Sequence, residues 1–311
     1  MFKSVAFSAC FSMLGLLASV RSAEARTPRD ELVVSTAWLA AHLEDPDLVL
    51  LHVGDKADYA AKHLPRARHV MLSDISVSGE HGKGLMLEMP SPEDLRHRLE
   101  ALGISDSSRI VVYFGKDWVS PATRVVFTLD YAGLGDHTSF LDGGIGAWIR
   151  AGKPTTDVVP PARGGSLAPL KVRPIVVTAD DVRASLGRAD RAVIDGRAAS
   201  FYDGVDTGGM KGFPHRTGHV AGARNVPFTS ITDDEGMLRS NAELAALFAE
   251  AGVKDDDTII GYCHIGQQAT AMLFAARLLG HPVWLYDGSF EDWSRRKELP
   301  VEKSPRARGK K

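Results

Sequence analysis

Cys263 occupies a position where a cysteine can act as a nucleophile. It follows an apolar, β-branched run at residues 258–262, and a short polar loop separates it from a helical pattern that begins near Ala269. Backbone N–H groups of such a loop can converge on an anion, and the positive end of the helix dipole adds to their field. Both effects stabilise negative charge on sulfur, so the sequence predicts a reactive thiolate. The other loop residues, all candidate contacts of a bound substrate, are His264, Ile265, Gly266, Gln267 and Gln268.

Two kinds of thiolate chemistry use a loop of this type. A cysteine phosphatase needs an arginine six positions after the nucleophile to fork onto phosphate oxygens, and Ala269 stands there instead. The other chemistry is sulfur transfer, in which the thiolate takes up a sulfane sulfur, becomes a persulfide and passes that sulfur to a second nucleophile. The sequence favours sulfur transfer and leaves phosphatase chemistry as the weaker alternative.

The elements that must position this loop occur twice along the chain. Five sequence blocks recur in the same order; the first pair is 34–39 with 177–182, and the last is 141–148 with 286–293. Units of this size indicate a duplicated domain. Short apolar strands alternate with amphipathic helical stretches in each unit, which predicts an α/β fold of two similar domains, each a mainly parallel sheet flanked by helices. Function in such sheets gathers at the carboxyl ends of strands, where Cys263 lies.

The amino terminus has the pattern of an export signal. Lys3 precedes a mostly apolar run, and residues 23–25 form a small-x-small cleavage motif, which predicts a signal peptide cleaved after Ala25 and export, to the periplasm in a Gram-negative source. A membrane anchor is the alternative, although the run is short for one. The predicted organisation is a signal peptide (1–25), an inactive N-terminal domain (31–151), a linker (152–173), a catalytic C-terminal domain (174–300) and a basic tail (301–311).

Composition narrows the function classes. The chain has 311 residues, enough for two domains, and its net charge of −2 gives no indication of nucleic-acid binding. Cleavage would remove Cys10 and leave Cys263, so the cysteine cannot serve as an internal disulfide; it is either a chemical group or a small buried hydrophobe. One cysteine and scattered histidines predict neither a metal site nor another cofactor.

The chain resembles a tandem-domain rhodanese, of the thiosulfate/3-mercaptopyruvate sulfurtransferase family, over residues 31–300. The motifs that carry the resemblance are Asp-Gly-Arg at 195–197, the segment 218–228, the Cys263 loop and the segment 286–293. The resemblance implies two similar α/β domains, of which the second is active and the first covers the cleft.

The first domain is expected to lack activity. The register of the two halves places Phe114 at the position of Cys263, and phenylalanine cannot carry sulfur. The segment after Phe114 is interpreted as longer than its counterpart. Lys116, Asp117 and Trp118 are candidates to enter the cleft, and an ordinary exposed loop is the favoured alternative.

Arg197 matches a family arginine near the substrate. Its positive charge would suit a dianionic donor such as thiosulfate, and an architectural role is the alternative. Asp195 and His219 are expected to be structural.

An insert at residues 204–217 is absent from the first half. It is rich in glycine with basic ends, so it could lie as a flap near the site. Arg216 and Lys211 would then be candidate anion contacts; a solvated surface loop is the alternative.

Thiosulfate is the preferred donor. In the family that the chain resembles, a serine is proposed to assist mercaptopyruvate chemistry, and Ile265 stands at its position here. A second arginine is common in that family soon after Asp-x-Arg, and Ser200 stands at that position. The predicted enzyme is therefore a sulfurtransferase that moves sulfur from thiosulfate to cyanide or a thiol through a Cys263 persulfide. A 3-mercaptopyruvate sulfurtransferase and a non-catalytic sulfane-sulfur carrier are the alternatives. The expected partners are a small-molecule sulfur donor and a thiophilic acceptor, with a protein acceptor left open, and the chain is expected to be a monomer.

Overall fold

The computed structural model describes residues 27–80, 84–116, 119–210 and 213–304. The predicted signal peptide, Asp117, Trp118, Lys211 and residues 305–311 of the tail lie outside the described residues, so the predictions made for them stay predictions. Within the described residues, no helix has the length and apolar character that a membrane-spanning segment needs.

The first half of the chain folds around a five-stranded parallel sheet. Its strands are β1 (Val33–Val34), β2 (Leu48–Val53), β3 (Arg68–Val70), β4 (Arg109–Phe114) and β5 (Thr138–Leu141). Its helices are α1 (Pro28–Leu32), α2 (Thr36–His42), α3 (Lys56–Ala61), α4 (Leu72–Ile75), α5 (Pro92–Ala101), α6 (Val119–Tyr131) and α7 (Gly144–Arg150), with a 3₁₀ turn at Gly135–His137. The strand order is β1-β5-β4-β2-β3.

The second half has more elements but the same main sheet. Its strands are β6 (Val176–Val177), β7 (Arg191–Asp195), β8 (Gly209–Met210), β9 (Phe213–Pro214), β10 (His219–Val220), β11 (Arg224–Asn225), β12 (Thr258–Tyr262), β13 (Val283–Tyr286) and β14 (Val301–Glu302). Its helices are α8 (Ala179–Ser185), α9 (Ala199–Tyr202), α10 (Asn241–Glu250), α11 (Gln268–Leu278) and α12 (Ser289–Arg295), with a 3₁₀ turn at Phe228–Ile231. The main sheet has the order β6-β13-β12-β7-β11.

The two sheets are copies of one topology. Read from β1 and from β6, their strands follow the same order, and both sheets pair in parallel throughout. The two-domain α/β prediction is therefore confirmed. Equivalent tyrosines confirm the register: Tyr113 accepts a hydrogen bond from the Leu64 amide at 3.0 Å, and Tyr262 accepts one from the Val220 amide at 3.1 Å.

One expectation about the first copy is wrong. Helix α6 begins at Val119 and α11 begins at Gln268, so the loop after Phe114 is no longer than the loop after Cys263. Residues that the sequence suggested as extra loop are instead the first turn of α6.

The central strand and the following helix hold the Cys263 loop between them. Strand β12 is buried along its whole length. Gly261 lets α11 lie close against it, because a Cβ at this position would come within 2.7 Å of Leu273 and 2.9 Å of Met272. Helix α11 also packs against α6 of the first domain, where the hydroxyls of Thr123 and Thr270 are 3.0 Å apart. The site therefore lies at the interface of the two domains.

The linker and the end of the chain are tied to the domains. Thr156 exchanges two backbone hydrogen bonds with His63, at 2.8 and 2.9 Å. Strand β14 pairs antiparallel with β10, so Val301 and Glu302 belong to the second domain and not to the predicted tail.

Candidate active site

Cys263 lies at the carboxyl end of the central strand β12 and is 0% exposed. Its amide donates to Ser289 Oγ at 3.1 Å, and its carbonyl accepts from the Phe290 amide at 2.9 Å. Ser289 has a positive φ of 51°, an unusual backbone conformation for a residue other than glycine. The start of α12 thus fixes the backbone on both sides of the sulfur.

The loop carbonyls are bound from outside the loop. His264 O accepts from the Glu291 amide at 3.0 Å, and Gly266 O accepts from Arg124 Nη1 at 3.0 Å. Among the described residues, no acceptor is found for the backbone N–H groups of residues 264–269. A loop of successive free N–H groups before a helix is a binding site for an anion.

Gly266 is required by the shape of this loop. Its φ is +79°, in the left-handed region that favours glycine. A Cβ here would lie 2.8 Å from the Asp287 carbonyl oxygen and 2.9 Å from Arg124 Nη1. The predicted glycine therefore serves both the turn and the close approach of the first domain.

The remaining loop residues differ in their surroundings. Gln267 Nε2 donates to Ser120 Oγ of α6 at 3.2 Å, so this side chain contacts the first domain. Gln268 Oε1 is buried and has no hydrogen-bond partner among the described residues. Ile265 is half-buried.

Arg197 is buried, 1% exposed, and is largely held by the protein itself. Its Nε and Nη2 donate to Asp195, with a shortest distance of 2.6 Å, and Nη2 also donates to Gly218 O at 2.7 Å. Burial acts to lower the pKa of Arg197, but the Asp195 carboxylate and the nearby Cys263 sulfur help to raise it overall. Nη1 has no acceptor among the described residues. The guanidinium lies over the Phe290 ring, 4.2 Å from its centroid.

His264 is near a second histidine that the sequence did not single out. Its Nδ1 lies 3.4 Å from Nδ1 of His215, and its ring meets Phe201 edge-on at 4.7 Å. Burial and the Arg197 charge lower the pKa of His264 to about 4. Burial, His264, Arg197 and Arg295 lower the pKa of His215 to about 3. Both rings are therefore uncharged at neutral pH, and at that pH His264 offers no positive charge to an anionic donor.

The glycine-rich insert lies on the Cys263 loop. Gly208 contacts His264 so closely that a Cβ at this position would overlap the imidazole ring and lie 3.2 Å from His215 Nδ1. The His215 amide donates to Gly208 O at 2.7 Å, which fixes this side of the insert. The insert therefore lies near the site, which was one of the two alternatives that the sequence left open.

Arg216 does not face the site, and its prediction as an anion contact is wrong. Its guanidinium donates to the carbonyls of Trp293, Ser294, Leu299 and Arg296 at distances of 2.8 to 3.1 Å. These carbonyls lie at the end of α12 and just after it, where helix carbonyls lack partners within the helix. Arg216 is thus a structural cap.

Asp195 and His219 have the structural surroundings expected of them. Asp195 is the partner of Arg197. His219 stacks on Tyr202 at 3.7 Å, and its ring nitrogens contact the Tyr202 carbonyl and Glu302.

The first domain lacks the matching chemistry at three positions. In the paired registers of the two sheets, Phe114 corresponds to Cys263 and His52 corresponds to Asp195. Two residues further on, Gly54 stands in the place of Arg197. The first domain therefore has neither a thiol nor a guanidinium at its equivalent site.

The first domain nevertheless reaches the Cys263 loop, through a residue that sequence reasoning missed. Arg124 of α6 is 0% exposed and binds both Gly266 O and Asp287. An arginine among the apolar residues of α6 was the available signal, since buried charges need specific partners. Lys116, in contrast, is exposed and pairs with Asp58 at 2.8 Å.

Comparison with known proteins gives consistent matches. The family model for the rhodanese-like domain matches residues 35–151 and 178–296. The sulfur carrier protein TtuD of Thermus thermophilus is 30% identical over 88% of this chain and 97% of its own length. The thiosulfate sulfurtransferase of Pseudomonas aeruginosa is 31% identical over 87% and 97%. The 3-mercaptopyruvate sulfurtransferase of Escherichia coli K12 is 29% identical over 86% and 97%.

Proposed function

The chain belongs to the rhodanese-like family of sulfurtransferases, and from that premise we propose that it moves a sulfane sulfur from thiosulfate to cyanide or a thiol through a persulfide on Cys263. The observation that carries the proposal is the loop after Cys263, whose N–H groups at residues 264–269 have no acceptor among the described residues. These groups would hold a sulfur anion on the buried Cys263, where hydrogen bonds to an anion are stronger than in water.

The reaction has two displacement steps. The Cys263 sulfur anion attacks the outer sulfur of thiosulfate and forms a sulfur–sulfur bond, and sulfite leaves with the electron pair of the bond that breaks. Cyanide then attacks the terminal sulfur of the persulfide. Thiocyanate departs, and the electron pair of the second broken bond returns to the Cys263 sulfur.

Arg197 and the residue type at position 265 support thiosulfate as the proposed donor. Arg197 has one free nitrogen to meet an oxyanion, and charge-assisted hydrogen bonds of this kind are strong when buried. Ile265 has no hydroxyl for mercaptopyruvate chemistry. The named relatives include sulfurtransferases for both donors, so the donor is a proposal.

Mass spectrometry of the Cys263 peptide tests the central step. After incubation with thiosulfate, the peptide is expected to gain the mass of one sulfur atom and to lose it when cyanide is added. Cys263→Ser is the matched control, because serine is nearly the same size and is a far weaker nucleophile. The variant should keep its circular dichroism spectrum and form no thiocyanate. Absence of any adduct on the wild-type peptide with either donor would identify Cys263 as an inert structural thiol.

A sulfur carrier is the second candidate function. One relative is named a sulfur carrier protein, and Cys263 is fully buried, which would suit a persulfide released only to a docked partner. Steady-state turnover with cyanide separates the two candidates. An enzyme turns over many times, whereas a carrier loads one sulfur and then stops.

Export to the periplasm is proposed from the amino-terminal sequence. Residues 1–25 carry the signal-peptide pattern described above. Amino-terminal sequencing of exported protein should begin at Arg26, and an intact Met1 would contradict the proposal.

A further inference from the structure

Arg124 is a buried first-domain residue that binds three groups around the Cys263 loop. Its Nη1 donates to Gly266 O at 3.0 Å and to Asp287 Oδ1 at 2.7 Å, and its Nη2 donates to Leu87 O at 2.5 Å. Gly266 lies inside the loop, and Asp287 lies just before α12, whose first residues bind the loop from the other side. One guanidinium therefore connects both edges of the candidate active site to the first domain.

The surroundings of Arg124 fix its position closely. Asp287 pairs with it as a carboxylate, and the second oxygen of Asp287 accepts from the Met89 amide at 2.7 Å. Leu87, which accepts from Arg124, has a positive φ of 56°. Nε of Arg124 is buried and has no hydrogen-bond partner among the described residues, so the two terminal nitrogens make the hydrogen bonds that hold the side chain. Arg124 has little freedom to move unless the loop and residues 87–89 move as well.

We propose that Arg124 is a positioning residue for sulfur transfer, one that holds the Gly266 carbonyl away from the sulfur so that the loop N–H groups face it. This inference rests on the function proposed above. A peptide group that turned over at Gly266 would bring its carbonyl oxygen toward the Cys263 anion in place of an N–H donor. Gly266 has no side chain to resist that rotation, so the restraint must come from outside the loop, and Arg124 supplies it.

The alternative is that Arg124 only joins the two domains. A second ion pair in the same interface provides the control for it. Arg277 of α11 pairs with Asp130 of α6 at 3.1 Å. This second ion pair crosses the same helix interface but lies near the far ends of both helices and has no contact with the Cys263 loop. Loss of either arginine removes one interdomain ion pair, whereas loss of Arg124 also frees Gly266.

The experiment compares Arg124→Gln, Arg124→Lys and Arg277→Gln with the wild type. Arg124→Gln should lower kcat for thiocyanate formation by roughly tenfold to a hundredfold, because displacement of a group in the site by about 1 Å has effects of that size. Arg124→Lys, which can still reach one acceptor, should recover part of the loss. Both Arg124→Gln and Arg277→Gln should lower the melting temperature, Arg277→Gln by less because Asp130 keeps its ion pair with Arg173. Arg277→Gln should leave kcat within about twofold of the wild-type value.

Hydrogen exchange provides a readout that does not depend on sulfur transfer. The amides of Glu291 and Thr270, which donate to the loop carbonyls of His264 and Gln267, should exchange faster in Arg124→Gln than in the wild type, and at the wild-type rate in Arg277→Gln. Equal effects of Arg124→Gln and Arg277→Gln on kcat and on exchange would overturn the positioning role. If Arg124→Gln does not fold, Arg124→Lys carries the same comparison. A wild-type protein that gains no sulfur would refute the proposed function, and the exchange rates would still decide whether Arg124 orders the loop.

Discussion

His215 and His264 face each other through their Nδ1 atoms at 3.4 Å, with their ring planes inclined by 26°. Burial and their neighbours lower the pKa of His215 to about 3 and that of His264 to about 4. Two cationic rings at this distance would repel each other next to the Arg197 guanidinium. The pair is therefore a contact between neutral rings, and acid should break it.

This pair predicts a loss of stability in mild acid. In the unfolded chain both histidines take up protons near pH 6.5, whereas in the folded protein they stay neutral until about pH 4 and pH 3. The free energy of unfolding should therefore fall as the pH drops below 6.5. His264→Asn should remove on the order of 2 kcal/mol of that fall between pH 7 and pH 4.5. Urea unfolding across this range measures it; wild-type and variant curves that stay parallel would contradict the assignment.

Arg197→Lys should impair thiosulfate turnover although it keeps the charge. Arginine spans Asp195 and Gly218 and still has Nη1 free, whereas one ammonium group cannot serve all three directions. The loss of a charge-assisted hydrogen bond should lower kcat/KM for thiosulfate about tenfold or more, and lower it less for 3-mercaptopyruvate. Steady-state kinetics with both donors measure the difference.

Arg216→Lys is the matched control for that substitution. The guanidinium of Arg216 also binds several groups of the second domain, but all of them are carbonyls at the end of α12 or just after it. The variant should be less stable, with kcat/KM near the wild-type value. A larger loss of kcat/KM in Arg216→Lys than in Arg197→Lys would return Arg216 to the site.

Gly208→Ala should separate the insert from the Cys263 loop. The added methyl group would overlap the His264 ring, so either the ring or the backbone near Gly208 must move. Because Cys263 is fully buried, that movement should speed its alkylation by iodoacetamide several-fold. Gly164→Ala is the control, since a Cβ there meets no atom within 4 Å. Equal alkylation rates for the two variants would show that this contact does not cover the sulfur.

Phe114→Cys should not restore activity to the first domain. The new thiol would lie at the end of β4, but Gly54 and His52 stand where Arg197 and Asp195 support the second site. In a Cys263→Ser background the double variant should form no thiocyanate, and the peptide with the new cysteine should gain no sulfur from thiosulfate. A sulfur adduct on that peptide would show that the loop backbone is sufficient.

Local sequence was enough to predict the elements around Cys263. The apolar run at residues 258–262 forms β12 with those bounds, and the helix begins at Gln268, one residue before the predicted Ala269. The match between Phe114 and Cys263 also followed from the sequence, because the two halves keep their tyrosines in register. The length of a strand and the periodicity of a helix depend on residues that are close together in the chain, so both can be predicted from one sequence.

What the sequence did not show about the site depends on residues far apart in the chain. Arg216 follows a glycine-rich segment, and a cation there has the same sequence pattern whether it binds a substrate or the end of a helix. Arg124 and Asp287 are separated by 163 positions, and nothing local to either residue indicates the other. The contact of His215 with His264 likewise depends on how the insert folds back.

The shared strand order also bears on how such a protein can arise. Val33 of β1 pairs with Phe140 of β5, and Val176 of β6 pairs with Leu285 of β13, so the first and last strands of each main sheet along the chain are neighbours. Chain ends that lie close together tolerate circular permutation and tandem fusion. A gene encoding one half could therefore be doubled head to tail without rearranging either sheet, after which one copy was free to lose its thiol while its helix α6 went on supporting the other.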